Sequence, residues 1–286
     1  MHQFDYVKVN SVEDLLSVMD RLCGNFKIIA GATDSLVQIK DKIIKPKYVI
    51  DISKIAELNY IYENENYIEI GALVKHCDVI ESGIIKNYGY ALVQSCSAIG
   101  SPQVRNMGTV VGNIVNASPA ADTAVSLMVL NSQVKVVSRK KDEWLEIEKL
   151  FVGPGLTILD KDEIITAIRF PKCSYQRSYF YKIGRRDVLS ISIVNGAVSI
   201  VLNGNIIDDI KIAVGAVAPT PIRLFKIENM IKGKPYDNGL IDDASIGCRE
   251  EIFPITDIRS TKDYRKDIIP HLISTMIKGA IGLSSA

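Results

Sequence analysis

The most distinctive stretch of the sequence is Ile99-Gly-Ser-Pro-Gln-Val-Arg-Asn-Met-Gly-Thr-Val-Val-Gly-Asn-Ile-Val-Asn-Ala-Ser-Pro-Ala-Ala-Asp122. It contains three glycines, two prolines and three asparagines, and it is poor in charged residues. An irregular segment of this length inside a compact domain is usually a binding loop or a disordered linker. Its many Ile, Val and Ala residues argue against disorder, because disordered segments are poor in apolar residues. The stretch therefore favours a binding loop.

Several residues of this stretch suit phosphate and hydroxyl groups. Gly108, Gly112 and Asn113 can turn the backbone around a phosphate. Ser118 and Asp122 can hydrogen-bond to a ribose or to other hydroxyl groups. The alternative is a buried structural loop whose backbone groups satisfy one another, and the stretch alone leaves that alternative open.

Two further stretches have a pattern typical of ligand binding. Lys27-Ile-Ile-Ala-Gly-Ala-Thr-Asp-Ser35 is an apolar strand that stops at Gly31. Such a turn can point several N–H groups at an anion such as a pyrophosphate, or it can be a simple strand-to-helix turn capped by Thr33 or Asp34. Phe180-Tyr-Lys-Ile-Gly-Arg-Arg-Asp187 places three cations within five residues. Its lysine can approach an anionic ring edge, and the alternative is a solvated turn.

The amino-terminal half alternates between short strands and helices. Ser11 and Asp14 are typical of a helix start, and Gly24 of its end. The remaining pattern predicts strands at Lys27–Ala30 and Tyr48–Ile50, a hairpin at 60–72, helices at 76–98 and 120–130, and strands at Gln133–Ser138, Glu143–Ile147 and Glu163–Phe170.

The carboxy-terminal half begins after a domain boundary at Pro171 and the polar run Cys173–Arg177. The pattern there predicts a β-meander at Tyr179–Ile183, Ser192–Leu202 and Ile206–Val217, then helices at about 241–252 and 260–281. Ser260 and Asp263 should cap the last helix, and Pro270 should kink or split it. Because the elements lack a regular βαβ rhythm, the fold class is α+β rather than a doubly wound sheet.

Composition excludes several classes of protein. The chain has 286 residues, enough for about two domains. Its 34 basic and 33 acidic residues give a net charge of +1, which argues against nucleic-acid binding. No GxGxxG, GxSxG, HExxH or P-loop motif occurs. His2, His76 and His271 share no metal-ligand spacing, so we predict no metal site.

The cysteines and the amino terminus indicate the cellular compartment in which the protein is expected. Five cysteines without a CxxC pair predict neither a zinc nor an iron–sulfur site, and they favour a reducing compartment. The first sixteen residues are charged throughout and show no apolar signal-peptide core. No uncharged apolar run approaches the about 18 residues of a membrane span. The expected location is the cytoplasm.

Five stretches together resemble a known family. IIAGATDSLVQIK (28–40), IEIGALVKHCDVI (68–80), AIGSPQVRNMGTVVGNIVNASPAADTA (98–124), DEIITAIRFP (162–171) and YKIGRRD (181–187) occur in this order. They resemble the FAD-binding, or medium, subunit of the molybdenum hydroxylases, the family of xanthine dehydrogenase and carbon monoxide dehydrogenase. The resemblance covers nearly the whole chain, including STKDYRKDIIPHLI at 260–273.

The resemblance implies a fold and a cofactor. Residues 1–172 would form the PCMH-type FAD-binding fold shared with vanillyl-alcohol-oxidase-like flavoproteins, with subdomains at about 1–54 and 55–172. Residues 176–286 would form a small α+β domain, a sheet backed by helices, like the carboxy-terminal domain of carbon monoxide dehydrogenase flavoprotein. FAD would lie extended between the domains.

The resemblance also implies which residues bind FAD. The pyrophosphate loop would comprise Ile28, Ile29, Ala30, Gly31, Ala32, Thr33, Asp34 and Ser35. The second phosphate-side loop would comprise Thr109, Val110, Val111, Gly112 and Asn113. Ser118 and Asp122 would lie near the ribityl or ribose hydroxyls. The remaining contacts would be Ile99 at the rings, Ile165 on the adenine side and Lys182, while Asp187 would face a nicotinamide nucleotide.

The implied activity is electron transfer within a complex. A molybdopterin-binding large subunit would oxidise the organic substrate, and a [2Fe–2S] small subunit would pass electrons to FAD on this chain. NAD is the expected final acceptor. No side chain here needs to act as an acid or base, so we predict no catalytic residue.

Two departures from the family leave alternatives open. The family often has two glycines at positions 31–32 and at 111–112, where this chain has Gly31-Ala32 and Val111-Gly112. Alanine is a mild change, but a β-branched residue tolerates a positive φ poorly. If Val111 needs that conformation, the chain would be a scaffold subunit that has lost FAD. A stand-alone flavin reductase on the same fold, such as a cell-wall precursor reductase, is the other alternative.

Overall fold

Three successive sheets, each with its own helices, make up the chain. The computed structural model describes residues 3–173, 176–186 and 189–282, so His2 and Asp187 lie outside the described residues. The first sheet has three strands, the second five and the third four. Only the first sheet alternates strands with helices; the second and third are antiparallel sheets whose helices are grouped together, which confirms the predicted α+β class.

The first sheet is parallel, with the strand order β1-β3-β2. Ser11 caps its first helix, because the Ser11 Oγ accepts a hydrogen bond from the Asp14 N–H at 3.1 Å. Its elements are β1 (Asp5–Lys8), α1 (Val12–Leu22), β2 (Phe26–Ile29), α2 (Ser35–Lys40) and β3 (Tyr48–Asp51).

The second sheet is antiparallel throughout, with the order β4-β5-β10-β6-β7. Its strands are β4 (Ile61–Glu63), β5 (Tyr67–Gly71), β6 (Gln133–Val137), β7 (Asp142–Glu146) and β10 (Ile164–Pro171). Between β5 and β6 lie α3 (His76–Glu81), α4 (Gly83–Tyr88), α5 (Tyr90–Ala98), α6 (Pro102–Arg105), α7 (Val110–Val115) and α8 (Asp122–Val129). A hairpin follows β7 and consists of β8 (Phe151–Gly153) and β9 (Leu156–Thr157).

The third sheet is the predicted meander, antiparallel in the order β11-β12-β13-β14. Its strands are β11 (Gln176–Gly184), β12 (Ser192–Asn203), β13 (Ile206–Gly215) and β14 (Ile222–Arg223). Its helices are α9 (Phe225–Ile231), α10 (Asn238–Gly247) and α11 (Lys262–Ile281). The apolar face of α11, which includes Leu272 and Met276, is fully buried against β11 and β12.

The start of α11 differs from the prediction by one residue. Thr261 is the N-cap, and its Oγ1 accepts a hydrogen bond from the Tyr264 N–H at 3.2 Å. The predicted cap, Ser260, is therefore wrong. The two residues are both good caps, and the sequence pattern does not separate neighbouring hydroxyls.

Of the two predicted effects of Pro270, a kink or a split, the split does not occur, because α11 is continuous from Lys262 to Ile281. Proline lacks the N–H that would donate to the carbonyl four residues earlier. That carbonyl, on Lys266, instead accepts a hydrogen bond from the Arg249 Nε at 3.0 Å. A side chain outside the helix thus satisfies the group that Pro270 leaves unpaired.

The third sheet packs closely on the helices of the second. The Phe180 N–H donates to the Gln94 Oε1 at 2.9 Å, and the Ala91 N–H donates to the Ser178 Oγ at 3.0 Å. Phe180 also belongs to the apolar core of the first two sheets. The ends of α5 and α8 therefore meet the end of β11 at one seam, where the candidate site lies. Among the described helices, none combines the length and apolar character needed to cross a bilayer.

Candidate cofactor site

The first predicted loop joins β2 to α2. The Leu36 N–H donates to the Ala32 carbonyl at 3.2 Å, which is the first helical hydrogen bond. The N–H groups of residues 31–35 have no acceptor within the described part of the chain. The Asp34 side chain makes no capping bond, because its carboxylate accepts a hydrogen bond from Gln38 instead. The loop therefore offers a run of donors suited to an anion.

Ala32 in this loop has a left-handed backbone, with φ at +56°. This conformation costs an L-residue about 1–2 kcal/mol, and glycine adopts it without that cost. Replacing the glycine common in the family by Ala32 is therefore a strained change and not the mild one expected from size alone. The loop keeps its shape because neighbouring contacts hold it.

The main contact that holds the loop is with the second stretch, residues 99–122. A Cβ built on Gly31 would lie 1.7 Å from the Met107 carbonyl oxygen, so only glycine allows this approach. The Gln38 Nε2 also donates to the Asn116 Oδ1 at 3.4 Å. The two predicted loops are therefore side by side, although about seventy residues separate them in sequence.

The second stretch is not irregular throughout, because it contains the two short helices α6 and α7. Thr109 caps α7, and its Oγ1 accepts a hydrogen bond from the Gly112 N–H at 3.0 Å. A Cβ on Gly112 would lie only 2.8 Å from that oxygen. Val111 lies within α7 with its side chain buried, so position 111 does not have a positive φ. The structure thus removes the expected objection to a valine there.

Two polar residues, Asn113 within α7 and Ser118 after it, keep free hydrogen-bonding capacity. The Asn113 Oδ1 accepts a hydrogen bond from the Thr123 Oγ1 at 2.6 Å, while its amide nitrogen has no acceptor among the described residues. The Ser118 Oγ accepts from the Ala120 N–H at 3.3 Å. Both side chains are half-buried along the same stretch, so each keeps donors for a further ligand.

Asp122, at the start of α8, is tied to the third sheet. Its Oδ1 accepts hydrogen bonds from the Ser192 Oγ at 2.7 Å and the Asn195 Nδ2 at 2.5 Å. Its Oδ2 accepts from the Lys182 Nζ at 2.9 Å. The carboxylate is buried, and these contacts leave it little capacity for the ribityl or ribose hydroxyls predicted as its partners. Its observed role is to join the two halves of the chain.

Lys182 completes the same network from β11. Besides Asp122, its Nζ donates to the Ala98 carbonyl at 2.6 Å and to the Ser190 carbonyl at 3.2 Å. A lysine ammonium has three donors, and all three are in use here. Only 13% of the side chain is exposed. The ammonium therefore lies at the seam between α5, α8 and the third sheet.

The two apolar residues predicted to contact the cofactor lie at different depths. Ile99 follows α5 and is half-buried, and its carbonyl accepts a hydrogen bond from the Arg105 Nη1 at 3.0 Å. Ile165 is buried in β10, in the same apolar core as Val111. The structure therefore brings Ile99 to the seam beside Ala98, whereas Ile165 lies beneath α7.

The buried residue His76 contacts the second stretch, residues 99–122. The His76 N–H donates to the Gly108 carbonyl at 3.1 Å, and its Nδ1 lies 3.5 Å from the Cys96 Sγ. Burial, together with the nearby Arg105 guanidinium, lowers the pKa of His76 from 6.5 to about 4. Burial also raises the pKa of the Cys96 thiol, which therefore stays protonated at neutral pH. Both side chains are neutral structural groups.

His76 makes the stability of the chain sensitive to acid. The unfolded chain binds a proton on His76 below about pH 6.5, and the folded chain does so only near pH 4. Stability is thus full above pH 6.5, and the free energy of unfolding should fall by about 3 kcal/mol from this group as the pH drops to 4. Urea unfolding of His76→Gln should show a flatter pH dependence in this range. The exposed His271→Gln control should keep the wild-type dependence, and an equal slope in both variants would contradict this role.

Residues of this site fit a dinucleotide cofactor. The donors of residues 31–35 can take a pyrophosphate, the Asn113 amide and the Ser118 hydroxyl can reach sugar hydroxyls, and the seam at Ile99 offers an apolar edge. Within the described residues no group of His, Cys, Asp or Glu side chains is arranged to hold a metal ion. These features are those of a protein that binds a nucleotide cofactor.

Comparison with known proteins shows which family of nucleotide-binding proteins this chain resembles. Residues 2–173 match the family described as FAD binding domain in molybdopterin dehydrogenase, and residues 179–280 match the CO dehydrogenase flavoprotein C-terminal domain. The glyceraldehyde dehydrogenase medium chain of Sulfolobus acidocaldarius is 31% identical over 276 residues, covering 96% of this chain and 98% of the relative. The xanthine dehydrogenase FAD-binding subunit of Escherichia coli O157:H7 is 29% identical, covering 97% and 96%. The carbon monoxide dehydrogenase structure from Hydrogenophaga pseudoflava has a TM-score of 0.95 at 25% identity, covering 99% of each chain.

The chain therefore belongs to the family of FAD-binding subunits of molybdenum hydroxylases. It is a subunit of an oxidoreductase, and its cofactor is FAD. Both conclusions confirm the resemblance drawn from the sequence.

Several residues that lie at the site in the structure were not predicted from the sequence. Met107 contacts the first loop, Ala98 and Ser190 accept hydrogen bonds from Lys182, and Asn195 holds Asp122. Of these, only Asn195 carries a signal in the sequence, since it is a polar residue inside the apolar run of β12. The others act through backbone carbonyls, which any residue type supplies.

Proposed function

We propose that this chain is the electron-transferring FAD subunit of a molybdenum-containing, xanthine dehydrogenase-like hydroxylase complex, with NAD as the final acceptor. The observation that carries the proposal is the run of unpaired N–H groups at residues 31–35, packed against the Met107 carbonyl. Sites of this kind suit the paired phosphates of a dinucleotide. The organic substrate would bind on another subunit. The names of relatives support this, because they refer to different substrates, such as glyceraldehyde, xanthine and nicotinate.

The predicted contacts with FAD are kept as part of this proposal. Residues 28–35 would hold the pyrophosphate from one side, and residues 109–113 would do so from the other. Ser118 would contact a sugar hydroxyl, Ile99 the rings and Ile165 the adenine side. Asp122 would lie near the ribityl or ribose hydroxyls, and Lys182 would act at the flavin end of the site. The domain limits 1–172 and 176–286 belong to the same proposal.

The partners follow from the chemistry of the cofactor. FAD, when bound, exchanges electrons singly or in pairs, so it can connect one-electron [2Fe–2S] clusters with a two-electron acceptor such as NAD. The chain itself supplies no metal ligands among its described residues, so the clusters and the molybdopterin would belong to other subunits. The five cysteines are unpaired, which supports a reducing compartment such as the cytoplasm.

Titration with NADH tests the acceptor. The FAD-loaded chain should lose its flavin absorption on anaerobic addition of about one equivalent of NADH, because hydride transfer is reversible. A loss of absorption only with dithionite would contradict NAD as the acceptor. Oxidation of NADPH by the isolated chain with a substrate of its own would favour the stand-alone reductase instead.

Lys182 should influence the redox potential of the flavin. In Lys182→Met, Asp122 keeps its negative charge but loses its cationic partner, and an uncompensated anion disfavours the anionic reduced cofactor. We expect a midpoint potential lowered by roughly 30 mV or more, equivalent to about 1.4 kcal/mol for two electrons, or weaker FAD binding. The exposed Lys226→Met is the control and should change neither. If the potential and the FAD affinity of Lys182→Met both equal those of the wild type, Lys182 does not act on the flavin.

A further inference from the structure

Two segments of the carboxy-terminal part of the chain, residues 189–191 and 253–258, expose large apolar side chains beside the candidate site. Phe253 is 71% exposed, Ile255 66% and Ile258 94%, and Leu189 and Ile191 are each more than half exposed. Single exposed apolar residues are common, but a cluster of five on adjacent segments is typical of an interaction surface. We call these five residues the apolar patch.

The two segments are held together rather than lying loose. The Arg185 Nη1 donates to the Ile258 carbonyl at 3.3 Å, and the Arg186 Nη2 donates to the Leu189 carbonyl at 2.9 Å. The segment 253–258 is further fixed at Asp257, which pairs with Arg259. Burial opposes ionisation of Asp257, but hydrogen bonds and charge from Arg259 outweigh it and lower the pKa of this carboxyl.

A buried arginine adds to this anchoring. Arg265 is 1% exposed, and its Nη2 donates to the Asp257 Oδ1 at 2.8 Å while its Nη1 donates to the Ala216 carbonyl. Burying an arginine is costly unless it is paired. Here the pair fixes an irregular segment whose apolar side chains face solvent, so the patch is presented in one defined shape.

The apolar patch is continuous with the candidate site. The Lys182 Nζ donates to the Ser190 carbonyl, and Ser190 lies between Leu189 and Ile191. The proposed function assigns Lys182 to the flavin end of the site, so a protein that covers the patch would lie against that end. This is the position that an electron donor to the flavin must occupy.

Charge narrows the kind of partner. The described residues 185–186, 189–191 and 253–262 contain four basic residues and one acidic residue, a net charge of +3 on a chain whose total is +1. Two copies of this surface facing each other would place like charges together, which costs free energy at an interface. A partner with an apolar centre and an acidic rim fits better.

We propose that the apolar patch is the docking surface for the iron–sulfur subunit of the complex, through an acidic-rimmed apolar face on that subunit. This inference rests on the proposed function, because it takes that subunit as the electron donor. Ile258 would be the central contact, since its side chain is almost entirely exposed and its carbonyl accepts a hydrogen bond from Arg185.

The test uses the full chain co-expressed with the iron–sulfur and molybdopterin subunits of its own complex. Ile258→Glu should weaken binding of the iron–sulfur subunit at least tenfold, while FAD content stays at the wild-type level. Leu156→Glu is the matched control, because Leu156 is 62% exposed on the separate β8–β9 hairpin. It should bind the iron–sulfur subunit as the wild type does.

A second variant tests the charge argument. Arg186→Glu should slow association with the iron–sulfur subunit at low ionic strength, and the difference should shrink as salt is added. If Arg186→Glu associates at the wild-type rate at every ionic strength, the partner does not have the proposed acidic rim.

Several outcomes would overturn the docking surface. Wild-type affinity in Ile258→Glu, or loss of binding in Leu156→Glu alone, would place the contact elsewhere. A concentration-dependent dimer of the isolated chain that Ile258→Glu abolishes, with binding of the iron–sulfur subunit intact, would assign the patch to a second copy. Failure of the proposed function looks different, since the wild-type chain would then lack FAD or recruit no iron–sulfur subunit at all.

Discussion

Asp122→Ala should lower the free energy of unfolding by about 3–5 kcal/mol, because it breaks a buried ion pair and leaves one partner unpaired. The Lys182 ammonium would keep only two carbonyl acceptors, and Ser192 and Asn195 would both lose the oxygen to which they donate. Since these bonds join α8 to the third sheet, the two halves of the chain should also separate more easily. Urea unfolding at pH 7 measures the loss, and FAD retention after desalting should fall with it.

The matched control for this prediction is a surface ion pair. Asp142 lies 3.2 Å from the Lys135 Nζ, but its side chain is 63% exposed. Asp142→Ala should therefore cost less than about 1 kcal/mol. If Asp122→Ala costs no more than Asp142→Ala, the seam is not held by this network.

Gly31→Ala should abolish FAD retention and destabilise the chain by about 3 kcal/mol. The added Cβ would overlap the Met107 carbonyl oxygen, a backbone atom that cannot rotate away as a flexible side chain can. The first loop would have to move off the second, and the N–H groups of residues 31–35 would lose their position. Titration with FAD followed by flavin fluorescence measures the affinity, and thermal unfolding measures the stability.

Gly83→Ala is the control for the glycine substitution. A Cβ on Gly83 meets no atom within 4 Å, and Gly83 is the first residue of α4. Alanine there should leave FAD binding unchanged and should stabilise the helix slightly. Equal FAD affinity in Gly31→Ala and Gly83→Ala would show that the contact between the two loops does not shape the site.

Much of the fold could be read from local sequence pattern. Alternation predicted the hairpin of β4 and β5 and the long strands of the third sheet, and the Ser11 cap predicted α1. These signals lie within a few residues of the element they define, so periodicity and capping are enough to find them. The two glycine-containing stretches were found for the same reason.

The errors arise where distant residues decide local structure. At Pro270, the unpaired carbonyl of Lys266 in α11 accepts a hydrogen bond from Arg249, which lies 21 residues before the proline. The strained conformation of Ala32 is likewise set by packing rather than by its own preference. Sequence pattern carries no direct signal for such compensation.

Part of the site was also beyond prediction from sequence. The resemblance placed Asp122 and Lys182 near the cofactor, but it gave no indication that they bind each other across 60 positions of the chain. The contact between Gly31 and Met107 involves a carbonyl, which leaves no trace in residue type. The structure thus adds to the expected cofactor residues the network that positions them.

The absorption spectrum of the purified chain, taken after incubation with FAD and desalting, tests whether this chain binds FAD, on which the whole proposed function depends. We expect flavin bands at one FAD per chain, lost on addition of dithionite. The same spectrum of the co-expressed complex tests whether FAD binds only when other subunits complete its site. A colourless chain in both preparations would contradict the assignment of this protein as a flavoprotein subunit.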